Sequence, residues 1–394
     1  MADNNENKVL NVPHLRFPEF SGEWKRVELK DVAEFQKSRI PADSLDASCY
    51  ISTENLIPNF GGIKEASSIP TDGNVMAIKP NDILISNIRP YLKKVWQSDR
   101  FGGCSADVFV LRTTRCQSDF LYNIIASDKF INYAMSGAKG VKMPRGDKRQ
   151  MEEFEFSIPA IEEQNRISRL LSLLDERIAT QNKIIKDLKK LKSAIVEMLL
   201  CNRNSELLKL GDIGYFVRGL TYANEDVTEN KAATAVIRAN NLNYGNHVDK
   251  GEVVYVSRTP ATSQILRKGD IVICMANGSS ALVGKNSYYP FNDGQSTVGA
   301  FCGIYRTSHP LAKWLMQSRR YKRLVYQSLQ GGNGAIANLN GDDILNMSFP
   351  VMEKEKSKSI IFILETIEKT LAVNKCLQMS CSTQKSHLLK QMFI

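Results

Sequence analysis

Asp82-Ile83-Leu84-Ile85, preceded by Lys79-Pro80-Asn81, returns in the second half of the chain as Asp270-Ile271-Val272-Ile273, preceded by Arg267-Lys268-Gly269. Other echoes keep the same order: Leu111-Arg112-Thr113 and Tyr305-Arg306-Thr307, then Ser157-Ile158-Pro159 and Ser348-Phe349-Pro350. Each closing proline is followed by a long helical pattern. Internal repetition on this scale outranks any single motif. The chain therefore reads as two copies of one unit, globular part first and helix second. Two equivalent surfaces related by approximate symmetry suit a partner that presents two half-sites.

Working outward, Trp24 to Phe35 alternates apolar and polar residues and opens the first unit, as Leu207 to Phe216 opens the second. Between these openings and the closing prolines lie short strand-like runs: Tyr50-Ile51-Ser52, Asp82 to Ile85, Val108 to Leu111, Ala235 to Ile237, Val253 to Val256, Ile271 to Cys274 and Phe301 to Tyr305. Turn residues separate them, so each unit is α+β. Each also carries one amphipathic helical stretch late in its length, Phe120 to Ser136 and Leu311 to Leu329.

After the prolines the pattern changes. Leu171, Leu174, Ile178, Gln181, Ile185, Leu188, Lys192, Ile195 and Leu199 follow alternating steps of three and four, with Leu170, Ile184 and Leu191 widening the stripe. The second copy runs Leu364, Ile367, Leu371, Asn374, Gln378, Cys381, Lys385, Leu388 and Met392. Both are heptad seams. Gln181 and Asn374 place a polar residue near the middle of each, a device that fixes register. Packing the two stripes on each other as an antiparallel coiled coil is the economical solution, and about forty residues at 1.5 Å each make a rod of roughly 60 Å. Homodimeric coiled coils, or helices docked on their own domains, are the alternatives. The boundaries read as a disordered tail (1–14), a first globular domain (15–160), a first helical region (161–203), a second globular domain (204–352) and a second helical region (353–394).

Composition narrows the function. The 394 residues carry a formal charge of +10 and 43% hydrophobic content, an ordinary globular balance whose charge favours polyanions as readily as it favours simple solubility. Apolar runs such as Ile271 to Ala276 and Ile360 to Leu364 fall far short of the ~20 residues that span a bilayer. Met1 to Val12 lacks the pattern of a secretory signal, so a cytoplasmic protein with no membrane contact is expected. The eight cysteines form no Cys-x-x-Cys pair, and only four histidines accompany them; neither zinc site nor disulfide framework is indicated. Cys274, inside an apolar run, reads as a small core residue.

No catalytic constellation stands out. Asn277 to Lys285 resembles a phosphate loop but has five residues where four belong and Asn286 where a Ser or Thr should reach magnesium. Gly332-Asn333-Gly334-Ala335-Ile336-Ala337 follows a helical stretch and so lacks the βαβ context of a dinucleotide fingerprint. No Pro-Pro pair exists for an adenine-methyltransferase signature. The loops are richer in binding chemistry. Arg89, Tyr91, Lys93 and Lys94 share a proline-bent loop; Lys139, Lys142 and Arg145 precede the first closing strand; Asn277, Ser279, Ser280 and Lys285 share a polar loop; and Asn333 lies at the place equivalent to 139–145. Arg and Lys neutralise phosphates, and Arg, Asn or Gln pair bidentately with purine edges. For any one residue, solvated surface charge is an equal alternative. A stand-alone DNA-modifying enzyme and a coiled-coil protein adaptor remain the competing readings, with a phase-variable or inactive copy as a third.

Leu15-Arg16-Phe17-Pro18-Glu19-Phe20-Ser21-Gly22-Glu23-Trp24, with Ile158-Pro159-Ala160-Ile161-Glu162-Glu163-Gln164-Asn165-Arg166-Ile167 and the helix after it, strongly resembles the specificity subunit of type I restriction-modification systems. The likeness covers nearly the whole chain and both repeats. It implies two target-recognition domains, each reading one half of a split double-stranded DNA sequence, spaced by antiparallel helices that dock two methyltransferase (modification) subunits and, for cleavage, restriction/translocase subunits. It implies a non-catalytic chain without a cofactor of its own, S-adenosylmethionine, ATP and magnesium belonging to the partners. Glu163 and Gln164 match the family's helix approach and, with Leu174, Ile178 and Leu188, are the implied partner contacts. The second copy, Pro350-Val351-Met352-Glu353-Lys354-Glu355-Lys356, lacks the Glu-Gln pair.

Overall fold

The opening alternation resolves into strand, one helical turn and strand in both halves: β1 (Lys25–Glu28), α1 (Leu29–Val32) and β2 (Ala33–Phe35) begin the first. The structure, a computed structural model, describes residues 10–66, 68–140, 142–200, 206–329 and 337–393. It divides into two compact units, residues 1–182 with 376–394 and residues 183–375. In unit 1 there follow β3 (Arg39–Pro41), β4 (Tyr50–Ile51), β5 (Asn74–Ile78), β6 (Ile83–Ser86), β7 (Val95–Gln97), β8 (Gly102–Cys104) and β9 (Val108–Thr113). Then come α2 (Ser118–Ile125), α3 (Asp128–Ser136), α4 (Lys148–Glu152) and β10 (Glu155–Ile158), which pairs back on β1 before α5 (Ile161–Met198) begins.

Unit 2 repeats the plan. Its strands are β11 (Glu206–Lys209), β12 (Tyr215–Arg218), β13 (Val227–Thr228), β14 (Thr234–Ile237), β15 (Val254–Val256), β16 (Ile271–Cys274), β17 (Ala276–Asn277), β18 (Asn286–Tyr288), β19 (Ser296–Val298), β20 (Cys302–Arg306), β21 (Ala337–Asn338) and β22 (Ser348–Val351). Its helices are α6 (Leu210–Ile213), α7 (Ala312–Leu315), α8 (Arg319–Leu329), α9 (Gly341–Leu345) and α10 (Lys354–Met392).

The doubled Asp-apolar run is the central strand of each larger sheet, ordered β2-β9-β6-β7 in unit 1 and β12-β20-β16-β18 in unit 2. Such a run has no polar alternation because both faces are covered. Ile83 and Ile85 join the core under the helices, whereas Leu84 points into a second core with Ile78, Val108 and Val110. Ile271 and Ile273 likewise face Trp314 and Tyr321, while Val272 and Cys274 face Val298 and Ile304. The smaller sheets differ. Unit 1 runs β3-β5-β8-β4 and unit 2 runs β13-β15-β14-β19, so around the same parallel pair (β4 with β8, β14 with β19) the next strand docks on β8 in one and on β14 in the other.

Several sequence expectations are corrected. Phe120–Ser136 and Leu311–Leu329 are each two helices. Ser127 Oγ accepts from Phe130 N at 3.3 Å and donates to Ile124 O at 2.6 Å; Ser318 Oγ accepts from Tyr321 N at 3.1 Å and donates to Leu315 O at 2.6 Å. A serine cap starts a new helix where a continuous amphipathic stripe hides it. The closing strands align two residues away from the matched prolines: Glu155 and Ser348 occupy the same register against Glu28 and Lys209. Pro350 therefore lies within β22, opposite Leu207 in a two-stranded sheet, where a missing N–H is tolerated at an edge. The tail expected over 1–14 does not extend through Asn11, whose Nδ2 donates to Trp24 O at 2.6 Å and whose carbonyl accepts from Trp24 N at 2.8 Å.

Burial along both long helices follows the predicted seams, with Leu171, Leu364, Ile367, Leu371, Cys381 and Met392 buried. Ile184 and Leu191 do not widen the first stripe; they are 38% and 49% exposed. In unit 1, Lys385 Nζ holds both Asp175 oxygens at 2.6 and 2.7 Å. In unit 2, Lys192 Nζ holds Glu368 at 2.8 Å, and Lys313 binds the other Glu368 oxygen. One repeat step relates the two arrangements, since 368 − 175 = 193 and 385 − 192 = 193. Among the described residues no helix is long and apolar enough to cross a membrane.

Candidate nucleic-acid interface

In each unit the loop after the central strand is tied to a segment far along the chain. In unit 1, Ile88 bridges Arg145, Arg89 N donates to Pro144 O at 2.8 Å and Gly146 N to Asn87 O at 3.0 Å. In unit 2, β17 pairs with β21, Ala276 opposite Asn338 and Asn277 opposite Ala337, and Leu339 N donates to Met275 O at 2.8 Å. In unit 1 the two loop groups picked from sequence thus meet in one place; in unit 2 the segment that meets the Asn277 loop is 337–339, which the sequence did not single out. Backbone strain marks the first: Arg89 and Lys93 flank a single turn of 3-10 helix, Pro90–Leu92, with φ of 52° and 53°. Left-handed non-glycine residues are costly and cluster at functional sites.

The candidate cations of unit 1 are of three kinds. Arg89 and Lys142 are exposed and form no ion pair among the described residues. Lys93, Lys139 and Arg145 are held by Asp128, Asp147 and Asp107 at 2.6, 2.7 and 2.9 Å, pairs that a phosphate would have to displace. Lys94 is structural in character: half-buried, it donates to Thr53 O at 2.6 Å, and burial pulls its ammonium below the ordinary lysine value. Tyr91 is 49% exposed beside them.

In unit 2, Asn277 Oδ1 accepts from Ser279 N at 3.0 Å, an Asx turn that leaves Ser279 and Ser280 on the exposed tip. Ser280–Leu282 is one 3-10 turn, and Lys285, half-buried, closes the loop beside Gly284, whose carbonyl accepts from Tyr321 Oη at 2.9 Å. Asn333 lies outside the described residues. Sequence reasoning passed over α8, where Arg319, Arg320, Lys322 and Arg323 crowd one turn and a half beside this loop; a local charge count would have found it. Lys322 Nζ lies 4.5 Å from the Tyr244 ring centroid, leaving the Arg323 side chain exposed to solvent.

Glu163 and Gln164, expected as partner contacts, are turned inward instead, at 1% and 2% exposure. Arg16 donates to both Glu163 oxygens at 2.7 Å. Gln164 Oε1 accepts from Gln117 N at 2.9 Å and its Nε2 donates to Pro159 O at 2.9 Å. These two side chains fasten the globular part to its helix, since a buried polar group must find its partners inside the fold. Ser357 takes the equivalent place in unit 2, donating to Met352 O at 3.1 Å, which explains how the second copy manages without a Glu-Gln pair. Leu174, Ile178 and Leu188 sit half-buried on the α5 seam. Burial raises the Cys274 thiol above its ordinary value, and among the described residues no three His, Cys, Asp or Glu side chains are grouped to hold a metal ion.

Comparison with known proteins agrees with this plan. The family model for the type I restriction modification DNA specificity domain matches residues 21–190. The chain is similar to the type I restriction enzyme MjaVIII specificity subunit of Methanocaldococcus jannaschii, 22% identical over 94% of this chain and 91% of that one. It is similar to the EcoKI specificity subunit of Escherichia coli K12, 28% identical over 40% of this chain and 35% of that one. In fold it matches the crystal structure of a type I restriction-modification S subunit from M. genitalium, with a TM-score of 0.64, 15% identity and coverage of 97% and 99%. Doubled units and paired loops thus accompany a likeness to type I restriction-modification specificity subunits, carried by a family model over residues 21–190 and by relatives at 22–28% identity.

Proposed function

We propose that the chain is the DNA sequence-recognition subunit of a type I restriction-modification complex, each unit reading one half of a split double-stranded target. The observation that carries this reading is the doubled loop pair: in both units the turn after the central strand is fastened to a distant segment, giving two equivalent groove-reading tips rich in Arg, Lys, Asn and Ser. α5 and α10 then act as an antiparallel ruler between the tips. Support comes from one ion pair between the two helices inside each unit, Asp175–Lys385 in unit 1 and Lys192–Glu368 in unit 2.

Methyltransferase subunits dock on the outer helix faces. Ile184, Leu191 and Met198 recur every seventh residue on α5 at 38%, 49% and 54% exposure, a row of apolar side chains suited to a protein partner. The chain supplies no catalytic group in this reading; S-adenosylmethionine, ATP and magnesium work in the partner subunits. The test is methylation mapping in cells expressing this chain with its methyltransferase subunit. A methyl-adenine pattern at a two-part sequence is expected, and deleting one heptad from each helix shortens the ruler by about 10 Å, or roughly three base pairs. An unchanged spacer would overturn the ruler.

A further inference from the structure

Beside the Asn277 tip, unit 2 holds a cavity of about 690 Å³ whose lining includes Tyr222, Arg238, Asn240, Asn277, Gly299 and Phe301. Three strands deliver all of these residues but Tyr222 from their C-terminal ends, and Tyr222 comes from the segment after β12. β14 is followed directly by Arg238 and Asn240, β19 by Gly299 to Phe301, and β16 by the short β17 that carries Asn277. The floor is fixed by backbone hydrogen bonds: Gly299 N to Ile237 O at 3.0 Å, Cys302 N to Gly299 O at 2.8 Å and Leu220 N to Val298 O at 2.7 Å. Two walls stand beside Gly299 at ordinary packing distance. A Cβ there would meet Tyr222 Cε1 at 3.7 Å and Arg238 Cγ at 3.8 Å, so the tyrosine ring and the arginine stem both lie against the floor.

The polar ends in this cavity are not used by the fold. Arg238 and Asn240 are exposed, and neither side chain forms a hydrogen bond to another described residue. Among the described residues, the Asn277 side chain engages only its Oδ1, with Ser279 N. Phe301 stands on the rim at 68% exposure, a large apolar side chain left in water. A guanidinium, two amides and an aromatic rim on a rigid floor match the chemistry of base edges in a major groove. Arginine pairs with O6 and N7 of guanine, asparagine with N6 and N7 of adenine, and an aromatic edge rests on the thymine methyl.

We infer that this cavity is the base-reading site of the second unit, with Arg238 reading a guanine and Asn240 with Phe301 reading an adjacent A·T pair. The inference rests on the proposed reading of the chain as a DNA-recognition subunit and names the residues that set one half of its target. Sequence inspection singled out Asn277 alone, because Tyr222, Arg238 and Phe301 lie in separate segments that only the sheet brings together.

The test uses the full chain assembled with its methyltransferase subunits and a randomised DNA library, read by sequencing of methylated adenines. If the assembled wild-type complex methylates no two-part sequence, the recognition reading itself falls, and this inference with it. If it does, Arg238→Gln is expected to relax the guanine preference at one position of one half-site by at least tenfold, producing newly methylated sites, with the other half-site unchanged. Phe301→Ala is expected to relax the neighbouring A·T position. Newly accepted sequences cannot arise from misfolding. Should Arg238→Gln fail to assemble, Asn240→Ala, at an exposed position, decides. Variants that methylate the wild-type sequences with unaltered preference, or lose both half-sites equally, would overturn the assignment.

Discussion

Arg306 grips Asp270 through two parallel hydrogen bonds, Nε to Oδ1 at 2.8 Å and Nη2 to Oδ2 at 2.7 Å, with the two side chains 9% and 3% exposed. The same guanidinium donates to Ser263 O and Ile265 O at 3.0 and 2.7 Å, while Asp270 also accepts from Arg267 N at 2.8 Å. Arg112 and Asp82 repeat the arrangement in unit 1 at 2.7 Å for both bonds, with Lys79 N on the carboxylate at 2.8 Å. Two sequence echoes, Asp before the central strand and Arg at the end of its neighbour, are thus one ion pair seen twice. It pins the start of β16 to the end of β20, and of β6 to β9.

Arg306→Met is expected to destabilise unit 2 by about 3–5 kcal/mol, the usual cost of stranding one member of a buried pair. Arg112→Met should cost less: both changes strand a buried carboxylate, but loss of Arg306 also leaves the Ser263 and Ile265 carbonyls without their donor, whereas the further bond of Arg112 is to the half-buried Gln36 side chain. Denaturant unfolding of the variants checks the order; equal losses would contradict it.

Glu368 is a carboxylate shared by two ammoniums. Burial alone would raise its pKa, but the attraction of Lys192 and Lys313 outweighs that and holds the carboxyl below its ordinary value of 4.5. Burial lowers Lys192 in turn, with Lys313 adding repulsion. Because the folded carboxyl is the stronger acid, its stabilisation is present above pH 4.5 and fades as pH falls below it. Glu368→Gln should destabilise by about 2–3 kcal/mol at pH 7 and flatten the acid limb of a stability–pH curve measured by thermal unfolding.

Lys142 and Lys94 should separate binding from folding. Lys142→Ala is expected to reduce the salt slope of DNA affinity by about one, leaving the target unchanged. Lys94→Ala strands Thr53 O and should lower the unfolding midpoint by about 1–2 kcal/mol in stability. Affinity titrations at several salt concentrations, beside thermal melts, distinguish them.

Leu191→Glu is expected to leave the fold within about 0.5 kcal/mol, since Leu191 is half in water already, yet to abolish assembly with methyltransferase subunits. Size-exclusion chromatography of the mixed subunits reads the outcome. Retained assembly would move the docking surface elsewhere on the helices.

The repeat, the seven strand-like runs and both heptad seams were legible in the residues because each rests on local periodicity or on letters kept in order. The serine caps at 127 and 318 were hidden inside continuous apolar stripes. Glu163 and Gln164 were expected as partner contacts from the resemblance alone, and sequence shows polarity and not direction, so a buried polar residue looks the same until Arg16 and Gln117 are placed around it. The divergent order of the smaller sheets left no mark at all, since docking on one neighbour or the other uses the same alternating pattern.

By itself the sequence determined that this chain is two α+β units, each followed by a long seamed helix, because burial on one or both faces writes its period directly into the chain. Tertiary structure alone decided which loops are fastened to one another. Ile88 with Arg145, and Asn277 with Ala337, join segments dozens of residues apart, and the cavity over Gly299 gathers its walls from three strand ends and the segment after β12. Backbone hydrogen bonding between distant segments carries no local signature in the residues it joins, so the site existed only once the strands had paired.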